Sequence, residues 1–138
     1  MQCAAIPYRK TSAGELEVLL VTSRSKGNWI LPKGKVKPGK TAAVSAQEEV
    51  YEEAGVRGTV DQALVARCDL PLIEVVEGAA IEQMQIFSME VGVVAATWPE
   101  MFQRQRRWVS LQEAMESVKG AHFRAALRRF ASIMAPIT

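Results

Sequence analysis

The chain has 138 residues, 49% of them hydrophobic and 23% charged, with a formal net charge of +2 and a sequence pI near 8.7. That length suffices for a domain hiding roughly two thirds of its unfolded surface, and the mixed charges exclude a disordered or fibrous chain. The slight positive excess suits small anionic ligands and is too weak to mark a nucleic-acid binder.

No repeat, low-complexity tract or linker divides the sequence, so residues 1–138 are expected to form one domain. The opening "MQCAAIPYRK" has no leader pattern, and the later apolar run "VGVVAA" is too short to cross a bilayer. A cytoplasmic protein is expected. Cys3 and Cys68 lack ligand-type spacing and read as buried thiols of a reducing compartment.

In chain order, "CAAIPYRK" and "ELEVLLVTSR" are expected to pair antiparallel across the turn "TSAG", with Val18 to Val21 apolar enough for a central strand. "NWILP" is a short strand ended by Pro32, and a lysine-bearing glycine loop follows it. Thr41 as N-cap and Gly55 as C-terminal cap delimit a helix. "TVDQALVARCDLPL" and "IEQMQIFSMEVGVVA" read as long strands flanking the loop "IEVVEGAA", and "RRWVS" as one more. Ser110 with Glu113 forms a capping-box pattern for "SLQEAMESV". "AHFRAALRRFASIM" is helical, burying Phe123, Leu127, Phe130 and Met134 with Arg124, Arg128 and Arg129 on its wet face. The fold class expected is α/β: a mixed central sheet between helices.

The first helix carries the chemistry. At about 100° per residue, Glu52 and Glu53 fall within about 60° of Glu49, while Ala43, Val50 and Ala54 face the core. Ala42, Ser45 and Ala46 are expected to leave space above the carboxylates. Like charges three or four residues apart each cost roughly 0.2–0.5 kcal/mol, and anions in the last turns also oppose the helix dipole. A merely solvated face would interleave basic residues, yet residues 41 to 56 contain none. Converging carboxylates without counter-charge suit a hard divalent cation, Mg²⁺ or Mn²⁺. Lys33, Lys35, Lys37 and Lys40 lie just before them, so a polyanion bridging metal and lysines is the natural ligand.

The stretch resembles the Nudix hydrolase signature G-x5-E-x7-R-E-U-x-E-E-x-G-U, where U is aliphatic. Gly34, Glu49, Val50, Glu52, Glu53, Gly55 and Val56 match, seven of nine positions; Lys40 and Glu48 replace the Glu and the Arg, inverting both charges. A swapped Lys40–Glu48 ion pair is expected to keep the brace between loop and helix. "NWILPKG", "TWPE" and "RRWVSLQEA" extend the likeness towards the diphosphoinositol polyphosphate and diadenosine polyphosphate hydrolases. The resemblance implies a Nudix α/β/α sandwich and a metal-dependent cut of a phosphoanhydride bond. It implies Glu49 and Glu53 as metal ligands, with Glu52 and the Lys33 carbonyl assisting. Glu52 becomes the general base, with Glu53 the alternative, and Arg24, Lys33, Gly34 and Lys35 become phosphate contacts. "IEQMQIFSME" lacks basic residues that would grip an inositol, favouring a nucleoside or dinucleoside polyphosphate.

Other residues keep two readings. Arg24 is a phosphate contact or an exposed strand-end charge. Trp29 and Trp98 are base-stacking or core, and Trp108 is read as core. "RQRR" at 104–107 is a phosphate contact or a solvated loop rather than a nucleic-acid patch. His122 reads as a helix-start or packing residue. Glu77, Glu82 and Glu90 are the candidates for a further metal ligand. The alternative to an enzyme is a binding or regulatory module of the same fold that senses a phosphorylated ligand. The expected partner is a phosphorylated small molecule, with neither membrane nor nucleic acid, and a homodimer left open.

Overall fold

A tight turn at Thr11–Glu15, in which the Thr11 N–H donates to Glu15 O at 2.8 Å, folds β1 (Gln2–Lys10) antiparallel onto β2 (Leu16–Thr22). In the computed structural model, which describes residues 1–70 and 82–135, seven strands form one sheet. Its main order is β3 (Trp29–Ile30), β2, β1, β6 (Gln83–Val94), β5 (Val56–Asp69). β4 (Lys33–Lys35) also pairs with β1, and β7 (Arg106–Ser110) with β2. Among the described residues only the β1–β6 pair is parallel, so the sheet is mixed as expected.

Cys3 to Ile6 and Val18 to Val21 are wholly buried without alternation, which requires cover on both faces of these central strands. Helices supply it. Helix α1 (Ala42–Ala54) packs against β1 and β5, α2 (Leu111–Ser117) against β2, and α3 (Ala121–Met134) against β5. Phe123, Leu127 and Phe130 of α3 are buried, Met134 only partly, and the Phe130 ring lies 5.1 Å from that of Tyr8. The Ser110 hydroxyl caps α2 by accepting the Glu113 N–H at 3.1 Å.

Two expectations shift. The lysine loop contains a short strand, because Cys3 on β1 offers its backbone to Gly34 and organises three residues that have no apolar periodicity of their own. The strand after α1 begins at Val56, directly beyond the cap, rather than at Thr59. Among the described residues no helix is long and apolar enough to cross a membrane.

Candidate functional site

Helix α1 starts where the Thr41 hydroxyl accepts the Val44 N–H at 3.1 Å, and it stops where Gly55 turns left-handed (φ 69°) and donates its N–H to Tyr51 O. Ala43, Val50 and Ala54 enter the core as the helical wheel requires. Glu53 joins them, only 3% exposed, while Glu48, Glu49 and Glu52 stay half-buried. Ser45 and Ala46 do not form an open approach. Both are buried, and the Ser45 hydroxyl accepts the Lys37 N–H at 3.0 Å, fastening the loop to the helix.

That loop is braced by charge. Lys40 Nζ lies 2.5 Å from Glu48 Oε1, so the inverted pair forms, and Lys37 Nζ adds bonds to Glu48 Oε2 (2.8 Å) and Glu52 Oε1 (3.3 Å). The Lys37 and Lys40 ammonium groups hold the Glu48 carboxyl below its ordinary range. Beside the brace, the Lys33 N–H donates to Glu53 Oε2 at 3.2 Å. Gly34 presses against Glu49 so closely that a Cβ there would stand 2.3 Å from the Glu49 Cδ.

The C-terminal end of α1, which carries Glu52 and Glu53, is clamped by residues 95–106. The last carbonyls of a helix have no partner within it. Here Glu100 N–H donates to Glu52 O (3.0 Å), Trp98 Nε1 to Glu53 O (3.0 Å), Arg106 Nη1 to Ala54 O (2.9 Å) and Ala95 N–H to Gly55 O (2.8 Å). Arg106 also lies 3.8 Å over the Trp98 ring. From the same segment Arg104 reaches Glu53 Oε1 at 3.3 Å, Glu100 Oε1 at 3.0 Å and the Thr22 carbonyl at 3.0 Å.

These groups surround a cleft of about 520 Å³. Glu49, Glu52, Glu53 and Glu100 line it with Arg24, Lys33 and Arg104. Burial pushes the Glu53 carboxyl up to about 7, against the pull of the Arg104 guanidinium and the Lys33 N–H and with the push of Glu49 and Glu100. Glu49 is raised by burial and then by Glu52. Cys3, at the same end of the sheet, is pushed up to about 11 by burial and then by Glu49, which makes it an inert thiol. Among the described residues no three ligand-type side chains converge on one point, and the Lys33 N–H and the Arg104 guanidinium each hold one Glu53 oxygen. The donor chemistry nevertheless fits a hard cation: four carboxyl groups face a cleft with one buried guanidinium among them.

Of the residues singled out in the sequence, Arg24 is exposed at the cleft wall, its Nη1 3.4 Å from Gln103 Oε1. Lys33 and Gly34 line the cleft, whereas Lys35 is exposed on β4 and absent from the lining. Trp98 is neither deep core nor a free stacking surface but part of the clamp. Trp29 is half-buried at the sheet edge, and Trp108 is half-buried with Arg9 3.9 Å over its ring. Within "RQRR", Arg104 and Arg106 turn inward instead of into solvent, and Arg107 pairs with Glu113 at 3.1 Å. His122 sits in the first turn of α3 beside Phe123, its pKa lowered by burial first and then by nearby cations. Glu82 pairs with the N-terminus and Glu90 is exposed on β6, both outside the cleft; Glu77 lies outside the described residues.

Sequence reasoning missed Glu100, and it weighed Arg104 only as part of "RQRR", a phosphate contact or solvated loop, and not as the partner of Glu53. The one available signal was the four-residue spacing of Glu100 and Arg104, with opposite charge, just before a strand.

The NUDIX domain model matches residues 4–130, and the chain belongs to that family. It is 34% identical over 129 residues to Nudix hydrolase 21, chloroplastic, of Arabidopsis thaliana, covering 93% of this chain and 63% of that relative. It is 30% identical over 150 residues to Nudix hydrolase 13, mitochondrial, of the same plant, covering 94% and 72%. The chain thus spans less than two thirds of the first relative's length. Among solved structures, an Ap4A hydrolase from C. elegans superposes with a TM-score of 0.71 at 22% identity, covering 97% of both chains. The NUDIX domain of Shewanella oneidensis NrtR, complexed with ADP ribose, superposes with a TM-score of 0.74 at 11% identity, covering 97% of this chain and 87% of that one. At such identities the likeness is one of fold.

Proposed function

We propose that this chain, as a single Nudix domain over residues 1–138, is a Mg²⁺- or Mn²⁺-dependent pyrophosphohydrolase. Its substrate is a nucleoside or dinucleoside polyphosphate, cut at a phosphoanhydride bond. The observation that carries this reading is the cleft itself, with Glu49, Glu52, Glu53 and Glu100 lining it beside Arg24 and Lys33. Family membership and relatives named as Nudix hydrolases support the activity. The C. elegans neighbour named as an Ap4A hydrolase supports the substrate class, as does β6, which carries no lysine or arginine to grip an inositol.

Glu49 and Glu53 are the primary metal ligands, helped by Glu52 and the Lys33 carbonyl; Glu100 joins the set. A divalent cation held there supplies Lewis acidity and charge neutralisation. Glu52 is half-buried at the cleft edge and accepts the proton of the attacking water, with Glu53 as the alternative base. Arg24, Lys33 and the Gly34 backbone receive the phosphates, and Lys35 approaches only the outer part of a long substrate. The clamp on the end of α1 fixes the carboxylates before substrate arrives, so little reorganisation is left for the reaction.

A second reading, a ligand-sensing module without turnover, draws on the Arg104 guanidinium that occupies a Glu53 oxygen. Product analysis decides between them. The protein is incubated with diadenosine polyphosphates, nucleoside triphosphates and diphosphoinositols in Mg²⁺ or Mn²⁺, alongside Glu52→Gln and Glu53→Gln. The enzyme reading expects cleavage of adenosine polyphosphates that both substitutions suppress. Binding without cleavage under every condition establishes the sensor instead.

A further inference from the structure

We propose that Phe102 is a stacking platform for the base of a nucleoside polyphosphate, set at the outer end of the catalytic cleft. Phe102 is 93% exposed, more than any other large hydrophobic side chain among the described residues. Its exposure is built rather than accidental. Met101 N–H donates to Trp98 O (3.2 Å), and Gln103 and Arg104 N–H both donate to Glu100 O (2.9 and 3.1 Å), so the turn around Phe102 is internally bonded. Trp98 and Glu100 in turn hold the end of α1. The backbone that carries Phe102 is therefore tied to the helix end that bears the carboxylates.

Beneath it lies a second cleft of about 400 Å³, lined by Gly27, Met101, Phe102 and Gln103 and sharing Ser23, Arg24 and Arg104 with the main one. The two clefts adjoin at these shared residues, Arg24 among them. A ligand whose phosphates meet the carboxylates and Arg24 would carry its next moiety over Phe102. An exposed aromatic face attracts a flat π-system, and a polyphosphorylated inositol offers no such face. The Gln103 amide and the Ser23 hydroxyl supply donors and acceptors for a base edge.

The inference rests on the polyphosphate reading of the main cleft, and the test separates the two. Phe102→Ala and Phe102→Trp are compared with wild type on diadenosine tetraphosphate and on inorganic tripolyphosphate, which has phosphates and no base. Phe102→Ala is expected to raise KM for the adenosine substrate about tenfold with kcat little changed, and to leave tripolyphosphate kinetics alone. Phe102→Trp keeps the wild-type KM, and its added emission is quenched by adenosine polyphosphate and not by tripolyphosphate. Equal effects on both compounds, no effect on either, or absence of base-dependent quenching overturns the proposal. So does a change of oligomeric state in Phe102→Ala on size-exclusion chromatography, which would make Phe102 a contact between copies. If wild type cleaves neither compound, the hydrolase reading is decided by the wider substrate panel, and the quenching by adenosine polyphosphate decides whether a base stacks here.

Discussion

The Arg104 guanidinium lies 3.3 Å from the Glu53 carboxylate where their side chains are only 8% and 4% exposed. Removing one partner of such a pair leaves an uncompensated buried charge, which typically costs roughly 3–5 kcal/mol. With a pKa of about 7, Glu53 can take up a proton instead, so Arg104→Gln is expected to lose about 1.4 kcal/mol of charge pairing at pH 8 without metal, plus the bonds to Glu100 and the Thr22 carbonyl, in urea titrations read by circular dichroism. Arg104→Lys should recover part of it. At pH 5 the Glu53 carboxyl is protonated and the loss should shrink, because its pKa lies near 7. An equal loss at both pH values would mean that the guanidinium acts through packing or through Glu100 and the Thr22 carbonyl alone.

Glu53 itself makes stability depend on pH in a direction opposite to an ordinary surface carboxylate. Its folded pKa of about 7 stands above the free value of 4.5, so the native state holds the proton more tightly than the unfolded chain does. The contribution is complete below about pH 4.5 and is lost as pH rises through about 7. Metal-free wild type measured against Glu53→Gln should lose stability from pH 5 to pH 8, since the amide cannot titrate. A difference between the two that stays flat across that range would exclude the raised pKa. Saturating Mg²⁺ should stabilise wild type more at pH 8 than at pH 5, by about 2.7 kcal/mol at a hundredfold excess over Kd where the carboxylate is ionised.

Local patterns were legible and long-range partners were not. Helix α1 was readable from Thr41, Gly55 and the wheel positions between them because cap, stop and periodicity all lie within one short window. β7 and α3 also match their expected bounds, α3 through the apolar spacing of Phe123, Leu127 and Phe130. Strand β4 was not readable, since Lys33–Lys35 owes its conformation to Cys3 on a distant strand. The wheel gave the direction of Ser45 and Ala46 but not what stands opposite, and there the lysine loop folds over them. Likewise the acidic face of the site could be read within six residues. Arg104 reaches Glu53 from 51 positions away, which no periodicity encodes.

The inverted Lys40–Glu48 pair makes a prediction about sign. Lys40→Glu sets two carboxylates against each other where Lys40 Nζ now meets Glu48, with only Lys37 left to oppose both. It should loosen the loop and weaken Mg²⁺ binding measured by calorimetry. Lys40→Glu combined with Glu48→Arg restores an attractive pair in the opposite sense and should regain the affinity. A double variant no better than the single one would show that the identity of each charge matters beyond their attraction.

Gly34 makes the sharpest geometric prediction. A Cβ at this position would stand 2.3 Å from the Glu49 Cδ and 2.7 Å from its Cγ and Oε1, so Gly34→Ala forces the carboxylate aside. The atoms that must move belong to the far end of a half-buried side chain, not to backbone, and the fold therefore survives with a loss of about 1–2 kcal/mol, within the range of ordinary overpacking. Metal binding should suffer far more than stability, because a ligand displaced by even about 1 Å can cost on the order of 10²-fold in activity. Mg²⁺ titration followed by calorimetry, set beside urea unfolding of the same protein, separates the two effects. Gly34→Ala that binds Mg²⁺ as wild type does would remove Glu49 from the metal site, since no position compatible with an alanine here leaves that carboxylate where it now lies.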